Sequence, residues 1–381
     1  MGTHSGRAEP LAPPGTFEAR VRRVVESLSE LGNGGSGAGV ISSLANCRYL
    51  TNFSGSNALL VLAYGATTEL NLITDGRYLE QAQEELADLL NSGTVHARIL
   101  DQAGKHAYGL AGELASGRGA VFCEHAVVTH RDYNTLQSAL NDSVSPLDCS
   151  GAVNKHRRVK DAHEVELLSV AASISDAAFA AVAPMIEDGV EELEIAAELN
   201  ARMMSLGAAG PAFQTIIGSG PNGALPHAHP TSREVRSGET VVIDFGAEFA
   251  GYRSDCTRTI FVGGEAGDAD AGRAYLAVLE SQRAGIDALA DGVLAMTIDD
   301  ACRAALPGEL ASRFTHATGH AIGLEVHEEP ILRAESDALL RSGMVVTVEP
   351  GVYLPGRFGI RIEDTLLIEG TGARPLTCLP K

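Results

Sequence analysis

The sequence predicts two domains, an α/β domain in the N-terminal half and an α+β domain in the C-terminal half. Three observations carry this. A chain of 381 residues is long enough for two hydrophobic cores. Between residues 16 and 141, short β-branched runs alternate with amphipathic helical stretches, the pattern of helices layered on a sheet. After the polar, turn-rich stretch 142–157 (NDSVSPLDCSGAVNKH), two long helical segments precede strand-like runs that carry single acidic residues in apolar settings. The expected organisation is a disordered tail over 1–15, an N-terminal domain over 16–150 and a catalytic domain over 158–381.

In the first half, Thr16 reads as a helix N-cap, and Phe17, Val21, Val24, Val25, Leu28 and Leu31 follow at helical spacing. The glycine-rich run Gly32–Gly37 fits G-x-G-x-x-G, but it follows a helix where a dinucleotide site needs a strand, so it reads as a loop. Strands are expected around 39–43, 57–63 and 68–74, with a turn at Asp75-Gly76 and a helix from Arg77 to Leu90. A strand at VHARIL, a helix over Gly104–Ser116, a strand at AVFCE and a helix over Thr129–Leu140 complete the half. No catalytic constellation occurs here, and a supporting or recognition role is the natural reading.

Composition excludes several function classes. A net charge of −20 with a pI near 5.0 argues against a nucleic-acid or anionic-membrane surface. The six cysteines, at 47, 123, 149, 256, 302 and 378, form no C-x-x-C pair and no compact disulfide framework, which points to a reducing, cytoplasmic setting. The first residues lack the apolar core of a signal peptide, and no run of roughly 18 consecutive apolar residues suggests a membrane span.

The chemistry lies in the second half. Helices are expected over about Asp161–Ile186 and Glu191–Leu206, and again within 271–306. Residues 214–217 read as a short strand entering Gly218–Gly223, a second G-x-G-x-x-G match, but Pro226 and Pro230 follow where a phosphate site needs a helix N-terminus. Val241–Val262 reads as a hairpin turning at Ala250-Gly251. Asp244 and Asp255, eleven positions apart and about equally far from the turn, would share one face, directly opposed or one diagonal step apart. Carboxylates so close repel unless a positive group separates them, most often a metal, although a lone hairpin Asp also serves turns and edges. His227 and His229 lie in a proline-bounded loop, and His316, His320 and His327 fall within twelve residues interleaved with glycine. Glu349 ends a strand, and Arg361 and Glu363 share one strand face with Ile360 and Ile362 on the other.

Singly, each acid or imidazole reads equally as a turn, loop or strand-end residue; together they form a set. The four carboxylates Asp244, Asp255, Glu349 and Glu363 carry −4, which two divalent cations would neutralise. An oxygen-rich set with one imidazole suits Mn²⁺, Co²⁺, Fe²⁺ or Zn²⁺. Two such ions about 3.5–4 Å apart can share a hydroxide and polarise a carbonyl.

The order Asp244, Asp255, His320, Glu349, Glu363, in the settings IDFGAEFAGYRSDCTRT, HATGHAIGLEVHE, TVEPGVY and GIRIEDT, resembles the pita-bread metallopeptidases. RYLTNFSGSN (48–57) and TDGRY (74–78) are similar to the N-terminal domain of the creatinase, prolidase and aminopeptidase P branch. The resemblance implies an α+β pita-bread catalytic domain and a dinuclear metal site, with Mn²⁺ the first choice, held by those five residues. It implies hydrolysis of the bond before proline in small peptides, by a hydroxide bridging the metals. Carried over, Glu349 also shuttles protons, His227 closes over the substrate, and His316 and His327 hold the scissile carbonyl. Arg361 orients ligands and Tyr353 contacts substrate. A homodimer is also implied, with neither nucleic-acid nor membrane partners. His229 matches no role. Ala317 and Ala321 replace the usual glycines, a change that costs about 1 kcal/mol or more wherever φ is positive. Competing readings are a metal-free amidinohydrolase of the creatinase type, a non-catalytic peptide-binding protein, and a related hydrolase acting on another amide or ester. The intact ligand set argues against the first two.

Overall fold

The computed structural model describes residues 10–140 and 144–381, so the first nine residues of the expected tail lie outside the described residues. It divides into two compact units, Leu11–Arg157 and Arg158–Lys381.

The first unit is built on a six-stranded mixed sheet. Its strands are β1 (Gly37–Ile41), β2 (Leu59–Tyr64), β3 (Thr68–Thr74), β4 (Val95–Asp101), β5 (Ala120–Cys123) and β6 (Leu147–Asp148), in the order β4-β3-β2-β1-β5-β6. β1–β3 form an antiparallel meander, while β4, β5 and β6 join in parallel, each after a helix-bearing crossover. β1 and β2 are buried along their whole length, as strands covered on both faces must be. The first glycine-rich run is a loop as expected, with Gly32–Ser36 leading into β1.

Several expectations shift. Gly15, in the left-handed conformation, occupies the cap that Thr16 was expected to fill, and Leu31, the last residue of the helix, is half-exposed. The helix expected from Arg77 to Leu90 divides at Leu86 into Leu79–Glu85 and Ala87–Leu90. A helix over Leu44–Thr51 was not foreseen; the Ser43 hydroxyl caps it by accepting from Asn46 N. The polar stretch 142–157, read as turn-rich and marking the domain boundary, contains a helix over Ser150–Arg157 that closes the first unit.

The second unit opens with a helix over Ala162–Val182, started by a capping box between Asp161 and Glu164. With its 3₁₀ extension to Met185 it is long and apolar enough to cross a membrane by length and composition. Thus no 18 apolar residues are consecutive, yet one helix passes the coarser test. Its apolar stretch is half buried within the unit, and Phe179 stacks on Phe245 with ring centroids 5.1 Å apart.

The strands of this unit are β7 (Gly210–Pro211), β8 (Ile216–Ser219), β9 (Thr240–Phe245), β10 (Ala247–Phe249), β11 (Tyr252–Arg253), β12 (Cys256–Phe261), β13 (Gly319–Ala321), β14 (Glu328–Leu332), β15 (Val345–Val348), β16 (Gly351–Leu354), β17 (Phe358–Arg361), β18 (Asp364–Glu369) and β19 (Gly372–Pro375). They form sheets ordered β12-β9-β8, β11-β10-β7, β14-β13-β15-β18-β19 and β16-β17. Helices Ala269–Ala288 and Ala295–Ala305 share one apolar core with these strands, in which Val278, Ile298, Val346, Val348, Ile360 and Ile362 are buried. Ile360 and Ile362 face this core, so Arg361 and Glu363 face away from it, as alternation predicts.

The hairpin is not one continuous ladder. β9 and β12 pair in one sheet and β10 and β11 in another, with a break at Gly246 and at Ser254-Asp255. The backbones cross so closely there that a Cβ on Gly246 would lie 1.9 Å from the Ser254 carbonyl oxygen. Asp244 pairs with Thr257, which leaves Asp255 on the diagonal. Gly319 and Gly359 mark equally close crossings, where a Cβ would stand 2.0 and 1.8 Å from the Thr347 and Gly223 carbonyl oxygens. Gly246→Ala should therefore destabilise the second unit by about 1–3 kcal/mol or more, as overpacking does. Gly308→Ala, where a Cβ meets nothing within 4 Å, should be silent. Equal melting temperatures for the two variants in calorimetry would refute this account of the break.

Candidate metal centre

Five donors from separate segments converge on one cavity of about 460 Å³. Asp244 lies near the end of β9, Asp255 just before β12, His320 within β13, Glu349 just after β15, and Glu363 between β17 and β18. Ligand atoms of Asp255, His320 and Glu363 lie within 4.8 Å of one another. His320 Nε2 stands 3.4 Å from Glu349 Oε1 and 3.7 Å from Asp255 Oδ2.

The neighbours fix each donor's orientation. His320 Nδ1–H donates to the Ala321 carbonyl at 3.1 Å, which leaves the Nε2 lone pair for the carboxylate side. Thr257 Oγ1 donates to Glu363 Oε2 at 2.6 Å. Thr347 Oγ1 donates to Glu349 Oε1 at 3.3 Å and accepts from His320 N at 3.1 Å. Arg361 Nη2 donates to Asp244 Oδ2 at 2.5 Å, and Nη1 donates to Tyr353 Oη at 2.8 Å and to the Pro226 carbonyl at 3.1 Å. His327 packs edge-on against His320, ring centroids 4.4 Å apart, on a turn anchored by the buried Lys160–Glu328 ion pair.

The electrostatics fit a cation site. Asp244 Oδ1 and Glu363 Oε1 are buried without a hydrogen-bond partner. Burial, and then the neighbouring carboxylates, push Asp255 and Glu363 well above the usual carboxylate range. Burial pushes Glu349 up to about 8 against the opposing pull of Arg361. Burial lowers His320 to about 4, helped by His327, so at neutral pH the imidazole is uncharged and able to ligate. Orphaned acceptors, mutually repelling acids and a neutral imidazole together are a donor set for hard or borderline divalent metals.

The remaining expected residues divide by position. His227, His316, His327 and Arg361 line the cavity with the five donors, as does His229. Tyr353 is not among the described lining residues; it is buried behind His316, and its hydroxyl donates to His316 Nε2 at 2.9 Å. His316 Nδ1–H meanwhile donates to the Ala317 carbonyl at 2.8 Å, and burial holds the ring neutral, lowered to about 4. Both His316 nitrogens are thus engaged, whereas His327 is exposed to the cavity. Ala317 and Ala321 carry no strain, since neither is among the described residues with positive φ. Sequence reading missed Thr257 and Thr347, although each stands two residues from a candidate donor, where strand alternation gives it the same face. It also missed the apolar wall of Phe213, Ile216, Val326 and Ile331.

Fold and site together define a metal-dependent peptidase. Residues 166–370, just over half of the chain, match the model of metallopeptidase family M24, and residues 20–159 match the creatinase/prolidase N-terminal domain. The chain belongs to family M24, with a creatinase-like N-terminal domain ahead of a pita-bread catalytic domain. It is 34% identical to the uncharacterised peptidase YqhT of Bacillus subtilis over 90% of its own length and 94% of that protein. It is 40% identical to the Xaa-Pro dipeptidase of Pyrococcus furiosus over 58% of this chain and 63% of the other. The solved Xaa-Pro dipeptidase of Bacillus anthracis superposes with a TM-score of 0.86 at 32% identity, covering 96% of this chain and 98% of that one.

Because the buried acids hold protons in the metal-free protein, cation binding must displace them. Titration of Mn²⁺ into metal-free protein at pH 7 should release protons, seen as a binding enthalpy that changes with the buffer's ionisation enthalpy. His320 contributes none, being already neutral. The stability sign follows from linkage. Glu349, raised in the folded state, stabilises the metal-free fold below its unfolded value of 4.5 and loses that contribution as pH rises through about 8; Asp255 and Glu363, raised likewise, act in the same direction. Above pH 6.5 the lowered histidines, whose unfolded value is 6.5, are more than half deprotonated in both states, and their opposing contribution dies away within about one unit. The melting temperature of metal-free protein should therefore fall from pH 6.5 to about 8, and buffer-independent enthalpies with a flat melting curve would refute the assignment.

Proposed function

We propose that this enzyme hydrolyses the peptide bond preceding proline at the N-terminus of dipeptides or short peptides, using two divalent metal ions, Mn²⁺ first. The observation that carries the reading is one cavity lined by the five-donor set, by His227 and His327, and by an apolar wall suited to a proline ring. The Xaa-Pro dipeptidase names of relatives support it. Asp244, Asp255, His320, Glu349 and Glu363 would hold the ions. When bound, the pair supplies Lewis acidity, polarising a carbonyl and acidifying water.

The chain's own groups do the rest. His327, exposed to the cavity beside His320, is positioned to donate to the scissile carbonyl oxygen as negative charge develops on it. Glu349 takes a proton from the attacking water and delivers it to the departing proline nitrogen, which leaves as a secondary amine. The chain from His316 through Tyr353 and Arg361 to Asp244 holds that last carboxylate in one orientation. His227, exposed on the rim, closes the pocket over the ring. Proline lacks a backbone N–H, so a site that grips the carbonyl and the free N-terminal amine accepts it where an N–H-gripping peptidase cannot. A homodimer and a reducing cytoplasmic setting belong to the proposal; all six cysteines are free, and five are buried.

Xaa-Pro substrates with a free amine should be cleaved at least about tenfold better in kcat/KM than matching Xaa-Ala substrates, roughly 1.4 kcal/mol. N-acetylation should abolish cleavage. Equal rates on Xaa-Ala, or turnover of acetylated peptide, would remove the prolyl reading and leave the metal centre standing.

Asp255→Asn should keep the fold and lose both metal and activity, because a neutral amide neither bridges nor balances charge. His327→Ala should keep metal content while kcat falls about 10²–10³-fold. Metal analysis beside kinetics decides both; a fully active Asp255→Asn enzyme, or loss of an ion in His327→Ala, contradicts the roles given.

A further inference from the structure

We propose that the substrates are peptides whose chain continues beyond proline, and that free Xaa-Pro dipeptides are poor substrates. This rests on the prolyl reading above and concerns the charge at the far end of the same cavity. In a dipeptide the C-terminal carboxylate is two bonds from the scissile nitrogen, so it must enter the cavity with the reacting bond. There it needs a positive partner, because burying an unpaired carboxylate is costly.

Arg361 is the one guanidinium or ammonium among the described lining residues, and it is fully engaged. It is buried, with Nε on Thr257 Oγ1 at 3.1 Å, Nη1 on Tyr353 Oη and the Pro226 carbonyl, and Nη2 on Asp244 Oδ2. Its charge is spent on a metal ligand. His316 is tied at both nitrogens, to the Ala317 carbonyl and Tyr353 Oη, and His320 Nδ1–H is spent on the Ala321 carbonyl while Nε2 faces the carboxylates.

The side chains in register with the ligands are apolar. Ile216 is the Cα partner of Asp244, and Ile331 is the Cα partner of His320. Both are half-buried and line the cavity, with Phe213 and Val326 extending the same surface. Such a wall accepts a proline ring and the neutral amide that follows it in a longer peptide. One further residue carries the terminal charge about 3.5 Å onward toward solvent. His229, exposed at the rim and without a part in the chemistry above, is available there to hydrogen-bond the emerging backbone.

The test compares Xaa-Pro, Xaa-Pro-NH₂ and Xaa-Pro-Xaa, all with free amines, on the metal-loaded full-length enzyme. The amide and the tripeptide should exceed the dipeptide at least about tenfold in kcat/KM. Ile331→Arg, which puts a cation opposite His320, should raise the dipeptide-to-amide ratio by about tenfold. Since the wild-type comparison needs no variant, poor folding of Ile331→Arg leaves the proposal decidable. Cleavage of the dipeptide at or above the rate of its amide overturns the proposal and leaves the prolyl reading intact. Failure on all three while Xaa-Ala-Xaa is cleaved overturns both.

Discussion

Four carboxylates around one cavity, Asp255 and Glu363 buried and Asp244 and Glu349 half-buried, repel one another, and the catalytic domain is arranged to hold them together in spite of it. Arg361 lies against Asp244, and Thr257 and Thr347 bind Glu363 and Glu349. Even so, two carboxylate oxygens have no hydrogen-bond partner, and three of the acids are pushed upward. A protein without a cation at this site would gain stability by replacing these acids with apolar side chains. Their retention in a buried cluster is what makes the site chemical.

The scaffold that resists this repulsion is made rigid by close backbone crossings. Gly246, Gly319 and Gly359 each stand where a carbonyl oxygen occupies the place of a Cβ. The crossing at Gly246 breaks the hairpin and turns Asp255 toward Asp244. The one at Gly359 brings the loop carrying Pro226 and His227 against the strand of Arg361, so the rim and the donor set are linked by the Arg361–Pro226 bond. On the other side of these strands, Ile360 and Ile362 bury in the core formed with helices Ala269–Ala288 and Ala295–Ala305. Donor geometry and domain stability thus depend on the same strands.

The hydrogen-bond network also distinguishes histidines that look alike in sequence. His316, His320 and His327 lie within twelve residues. His320 is turned by Ala321 so that Nε2 faces the carboxylates, His316 is tied at both nitrogens, and His327 is exposed to the cavity. The hydrogen bonds that His316 and His320 make decide their tautomers, and the tautomer decides whether a ring can ligate or donate.

Periodicity and chemistry made much of this legible from residues alone. The α/β alternation of the first half, the strand or strand-end positions of Asp244, Glu349 and Glu363, and the opposite faces of Arg361 and Ile360 all follow from a period of two or 3.6, which local sequence carries. The helix Leu44–Thr51 escaped because eight residues between caps give too little periodicity to read. The hairpin break, the burial of Tyr353 behind His316, and the strain-free Ala317 and Ala321 were decided only in the folded chain. The first two depend on backbone contacts between separate segments, such as Gly246 on Ser254 or Gly351 beside His316 and Tyr353. The sequence by itself determined which donors exist and on which face each lies. Tertiary structure alone decided their distances, their protonation and the apolar wall beside them, because burial and through-space charge arise between residues that no local pattern connects.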